Sequence, residues 1–151
     1  MGKRVILCFV TISIRHLSVH MMFFPSIQAK SIDSTRGEVI SLLEGLRSAG
    51  KSIAGFGAPA KATTLMYHFG ITKDNISFIV DDNPLKQGLF TPGLRIPVVD
   101  ADQMYEKQPD YLIILAWNFA ESIMRKHAKF LRSGGRFIVP LPELRVVKTL
   151  P

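Results

Sequence analysis

Four short apolar runs, SIAGF (52–56), ISFIVDD (76–82), YLIILAW (111–117) and RFIVPLPE (136–143), recur along the chain with helix-forming segments between them. Continuous runs this short fit strands buried on both faces, and parallel neighbours of that kind need a crossover between them. The alternation therefore predicts an α/β domain: a small Rossmann-like parallel sheet with helices on both faces and right-handed crossovers. With 151 residues, 47% of them hydrophobic, the chain suits one such domain and needs no disulfide or metal to stabilise its core. The lone cysteine, Cys8, permits no internal disulfide, and the four histidines are scattered along the chain. No metal site is expected, and cytoplasmic residence is the natural reading.

Local signals mark the elements. Thr35 with Glu38 reads as a capping box, followed by Val39, Leu42, Leu43 and Leu46 at helical spacing and by Gly50 as a left-handed stop. KSIAGF reads as a buried strand. Pro59 then opens a helix whose Ala62, Leu65, Met66 and Phe69 face inward until Gly70. The proline- and glycine-rich stretch from Asn83 reads as an ordered loop into a short strand at 96–99, and Asp100 as the cap of a brief helix through Tyr105. Asn118 with Glu121 reads as a second capping box, opening a helix through Leu131 that SGG closes. RFIVPLPE is the last strand expected, and its prolines place it near a sheet edge or end.

The net charge of +7 is uneven. Residues 1–30 contribute Lys3, Arg4, Arg15 and Lys30 with no acid, hence +4, and the remainder contributes +3. Without a dense basic stripe or an RNA-binding motif in the body, this reads as solvated basic surface and not as a nucleic-acid site. The stretch 1–30 is set apart as a poorly defined extension ahead of the domain at 31–151. Its basic start and apolar Val5–Ile14 run imitate a secretory signal, yet Arg15, His16 and His20 interrupt it, and the run is shorter than the ~20 residues of a membrane span. A mis-set start and an added edge strand are the other readings of this segment.

The chemistry concentrates where strands end. In GFGAPAKA, Gly55 and Gly57 lie between a strand and a helix, a place where close backbone approach and a helix N-terminus favour a phosphate, with Lys61 in the first turn as a second contact. The same glycines also serve a tight turn with no ligand. Asp81 and Asp82 follow, Asp81 24 residues beyond Gly57, near the offset at which a carboxylate meets a ribose hydroxyl in dinucleotide folds. An NAD(P)-binding module is therefore one reading, and a simple Asp-Asn-Pro turn is another. Asn118 ends the YLIILAW strand, either as a ligand contact or as a helix cap. Trp117 can stack on a base or sugar, or fill core. His68 and His127 have no adjacent nucleophile, so no catalytic residue is assigned.

Together GFGAPAKATTL, VDDNPLKQGLFTPGLRIPV, ILAWNF and GGRFIVPLPE resemble the C-terminal domain of the S-adenosylmethionine-dependent sugar C-methyltransferases, which act on nucleotide-linked deoxysugars. The resemblance runs from about Phe23 or Ser31 to Val147. It implies a domain that helps enclose a nucleoside-diphosphate sugar, with Gly55, Gly57 and Lys61 on the diphosphate side and Asp81, Asn83, Lys86 and Asn118 around the same sheet edge. S-adenosylmethionine, the catalytic base and a cysteine-ligated zinc module belong, by the same resemblance, to other parts of such enzymes. The chain is thus expected to bind no cofactor, to be inactive alone, and to work with a separate methyltransferase domain or chain. It departs from the family at Ala62-Thr63, where members commonly carry Gly-Asn, and at Tyr67, where they carry Asn. An interaction remnant without a ligand is the remaining reading.

Overall fold

A computed structural model describes residues 25–149, with side chains from Ile32 onward. The expectations for residues 1–24 lie outside the described residues. The elements are helix α1 (Pro25–Ser48), strand β1 (Ile53–Phe56), α2 (Ala60–Phe69), β2 (Ile79–Val80), β3 (Val98–Val99), α3 (Ala101–Lys107), β4 (Tyr111–Ile114), α4 (Ala120–Lys126), α5 (Ala128–Arg132), β5 (Arg136–Val139) and β6 (Arg145–Val147). A 3₁₀ turn at Trp117–Phe119 separates β4 from α4. The six strands lie in the order β3-β2-β1-β4-β5-β6. All neighbours pair in parallel except β5 with β6, which are antiparallel. The α/β architecture expected from the alternation is the one found.

Strand periodicity sorts the core into two layers, because successive side chains point to opposite faces. Ile53, Ile113, Leu115 and Ile138 meet Val39 and Leu43 of α1 and Leu65, Met66 and Phe69 of α2. Ala54, Phe56, Leu112, Ile114 and Phe137 face the other way, against Met104 of α3, Met124 of α4 and Phe130 of α5. Helices thus cover both faces, which explains why the central strands read as unbroken apolar runs.

Four local expectations are corrected. The helix read from Thr35 begins at Pro25, so Thr35 sits buried within α1 and heads no capping box; proline at the first helical position is the start signal that prevails. The stop is as expected: Gly50 has φ 72°, and Lys51 N donates to Leu46 O at 2.9 Å. Asn118 caps nothing, for it lies inside the 3₁₀ turn, and α4 begins after Phe119 without a side-chain cap. The helix expected through Leu131 breaks at His127, whose ring is drawn inward beside Phe56. Finally, Pro140 lies just past the end of β5, and the edge belongs to β6, a strand the sequence reading did not expect.

Candidate functional site

Strand order reverses between β1 and β4, each of which leads in the opposite direction across the sheet. In open α/β sheets the crevice at the carboxyl end of such a pair is the usual ligand position. Here the two strand ends meet through Gly57, at φ 87°, where an added Cβ would lie 2.6 Å from the Ala116 Cβ. Gly55 is packed as tightly: a Cβ would lie 3.0 Å from both Ile79 and Leu115 side chains. Both glycines therefore have a packing reason, and together they let the strand ends close on each other.

The end of β2 locks this turn. Asp81, buried, accepts from Ala58 N at 2.7 Å and Lys86 Nζ at 3.1 Å through Oδ2, and from Asn83 N at 2.9 Å through Oδ1. The Asn83 side chain in turn accepts from Leu85 N at 3.0 Å, closing a turn of the type its sequence suggests. Gly57, Asp81, Asn83 and Lys86 thus lie around one turn, with Gly55 just before it in β1, and the Asp81 carboxylate that the dinucleotide reading offers to a ribose is already occupied by this loop.

On the β4 side, Lys61 and Asn118 come together around the 3₁₀ turn. The Lys61 ammonium stands 4.9 Å from the Trp117 ring centroid and 5.9 Å from that of Phe119. Asn118 is exposed, and Phe119 is 63% exposed. The sequence reading missed Phe119. Its signal was present in WNF directly after a central strand, where an aromatic side chain has left the pleated core. A shallow depression of about 350 Å³ adjoins the turn, lined by Asn118, Phe119, Glu121, Ser122 and Arg125.

A family sequence profile for the C-methyltransferase C-terminal domain matches residues 18–142. The chain belongs to this family. It is also similar to the C-methyltransferase NovU of Streptomyces niveus, with 41% identity over 119 residues, covering 79% of this chain and 28% of NovU. The chain thus spans under a third of the length of that curated relative.

Two further clusters lie at opposite ends of the sheet in this C-methyltransferase C-terminal domain. His127, buried where α4 meets α5, places Nδ1 3.1 Å from Tyr105 Oη and Nε2 3.7 Å from Asp82 Oδ1, while Lys126 holds Asp82 Oδ2 at 2.7 Å. Burial pushes the His127 pKa down, only partly countered by the Asp82 charge, which favours the neutral ring. At the opposite, amino-terminal end of the sheet, Asp110 accepts from Ser52 N, Ser52 Oγ and Lys51 Nζ, and these bonds hold its carboxyl down to about 2. Asp110 ties the starts of β1 and β4 together and lies away from the candidate site. Among the described residues no group of three or more His, Cys, Asp or Glu could hold a metal. No described helix is long and apolar enough to cross a membrane.

Proposed function

We propose that this domain holds a nucleoside-diphosphate sugar for methylation by a methyltransferase domain that uses S-adenosylmethionine. The observation that carries the reading is Lys61, a cation set against the rings of Trp117 and Phe119 at the sheet's switch point, the two residues that flank exposed Asn118. Lys61 and Asn118 contact the ligand, with Lys61 on the diphosphate, while Gly55, Gly57, Asp81, Asn83 and Lys86 shape the edge against which it lies. The membership in a C-methyltransferase family supports a role in carbon methylation, and the partial coverage of NovU supports a division of labour with a second domain or chain. Methylation at a carbon beside a keto group needs a base and a bound methyl donor. Both are assigned to that second domain, so the chain alone transfers no methyl group. The dinucleotide alternative is disfavoured because the Asp81 carboxylate is filled by Ala58 N, Asn83 N and Lys86 Nζ.

The test is calorimetry or thermal shift with thymidine and uridine diphosphate sugars against NAD(H), alongside a labelled-donor assay with 4-keto nucleotide sugars. Nucleotide sugars should bind in preference, and Lys61→Ala should weaken them by about 1–3 kcal/mol, the range of a charge-assisted contact. A stronger response to NAD(H), silence from every nucleotide, or methyl transfer by the chain alone overturns the corresponding part.

A further inference from the structure

Four large apolar side chains are exposed among the described residues: Tyr67, Leu85, Phe119 and Val146. Phe119 differs from the others in its surroundings. It stands at the carboxyl end of the switch-point strand β4, shares the Lys61 ammonium with Trp117, and borders the depression of about 350 Å³. That volume lies within the range of small-molecule sites, at the small end. An open phenyl face gains nothing from water but stacks well on a flat heteroaromatic ring.

We propose that Phe119 and this depression form the shelf for the base of the bound nucleotide. The inference rests on the nucleotide-sugar reading and assigns its base end. A base offers both donors and acceptors along its edge, and the depression presents matching chemistry. The Asn118 amide and Ser122 hydroxyl each donate and accept, and the Arg125 guanidinium donates. The one carboxylate in the lining, Glu121, is drawn toward Arg145, whose Nη2 lies 3.5 Å from Oε1. Lys61 beside the same ring holds the phosphate end, so that one nucleotide spans from the ammonium to the shelf.

The chain has a single tryptophan, Trp117, so its fluorescence reports on this position directly. The experiment titrates the full chain with thymidine diphosphate, uridine diphosphate and inorganic pyrophosphate, following Trp117 emission and checking affinities by calorimetry. Phe119→Ala should weaken both nucleotides by about tenfold or more, the scale of one lost stacking contact, and leave pyrophosphate unchanged. Phe119→Tyr should restore nucleotide affinity, and Lys61→Ala should weaken all three probes. Because the side chain is exposed, Phe119→Ala should fold normally, and an unchanged thermal midpoint verifies that. Nucleotide binding that survives Phe119→Ala within twofold, or a loss equal for nucleotide and pyrophosphate, overturns the shelf while leaving the nucleotide-sugar reading intact. Wild-type protein that binds none of the three overturns both.

Discussion

Replacing Gly57 by alanine tests whether the closeness of the β1 and β4 ends is a packing requirement of the site. Two costs combine. At φ 87° a residue with a Cβ is strained, by about 1–2 kcal/mol on the scale of left-handed conformations. The new methyl would also lie 2.6 Å from the Ala116 Cβ and 3.2 Å from the Ala116 backbone N, and overpacking of this kind costs about 1–3 kcal/mol. The sum is about 2–5 kcal/mol. For a chain of 151 residues each kcal/mol lowers the thermal midpoint by about 2–4 °C, so a central value of about 3 kcal/mol predicts a fall of about 6–12 °C. Urea denaturation of Gly57→Ala, Ala116→Gly and the double variant separates the terms. Ala116→Gly removes the methyl that clashes, so the cycle should show a favourable coupling of about 1–3 kcal/mol, while the backbone share persists in the double variant. A Gly57→Ala midpoint within a degree of wild type, or strictly additive single effects, refutes the reasoning.

Acid should destabilise the domain in two separate windows. The Asp110 carboxyl is held at about 2 against an ordinary 3.8, so its contribution is complete above about pH 4 and is lost as pH falls toward 2. Since the side chain is 38% exposed, solvent screening limits the effect to about 1 kcal/mol, and Asp110→Asn should flatten that part of a denaturation series against pH. His127 has a lowered pKa in the fold, so the unfolded chain takes up its proton first. Stability should begin to fall as pH drops below about 6.5, and His127→Gln should remove the slope, as denaturation between pH 7 and 5 would show. Deleting residues 1–22 leaves α1 whole from Pro25 and should keep the thermal midpoint within a few degrees, equivalent to about 1 kcal/mol or less; insolubility would place that segment in the core.

What was legible in the sequence was what local chemistry dictates. Asp100 caps α3 as read, its Oδ1 accepting from Gln103 N at 3.0 Å. The inward set Ala62, Leu65, Met66 and Phe69 of α2 is buried as its spacing requires. The failures lie where tertiary partners decide. The Asn118–Glu121 pattern has the form of a capping box, but the chain leaves β4 through a 3₁₀ turn that places Asn118 too early to cap α4. Only Ile79 and Val80 of ISFIVDD pair as strand, although Ile76 and Phe78 are buried as well. The strand β6 is three residues long and exists through antiparallel pairing with β5, which no local pattern in RVV announces. His127 breaks its helix because its ring packs 4.8 Å from Phe56, a residue 71 positions earlier.

The charges along the carboxyl edge separate into two kinds, and that separation indicates where an anion belongs. Asp81 and Asp82 are neighbours at the end of β2, yet they serve different sides of the domain. Asp81 turns in to hold Ala58 N and Lys86, whereas Asp82 meets Lys126 and approaches His127. Each acid has its cation, and those cations are partly neutralised by the pairing. Lys61 is different: among the described residues it makes no salt bridge, and its ammonium faces the rings of Trp117 and Phe119 instead. A ring face holds a cation in place without cancelling its charge, by about 0.5–1 kcal/mol at an exposed site. An arriving phosphate therefore gains more at Lys61 than at Lys86, where it would have to compete with the buried Asp81 carboxylate. On this argument Lys61→Ala should weaken nucleotide-sugar binding more than Lys86→Ala does at equal ionic strength. The turn that leads into α2 and Lys61 is the one that Asp81 and Gly57 hold together, so on the proposed reading the acid that a dinucleotide would need for a ribose instead sets the cation that a diphosphate would meet.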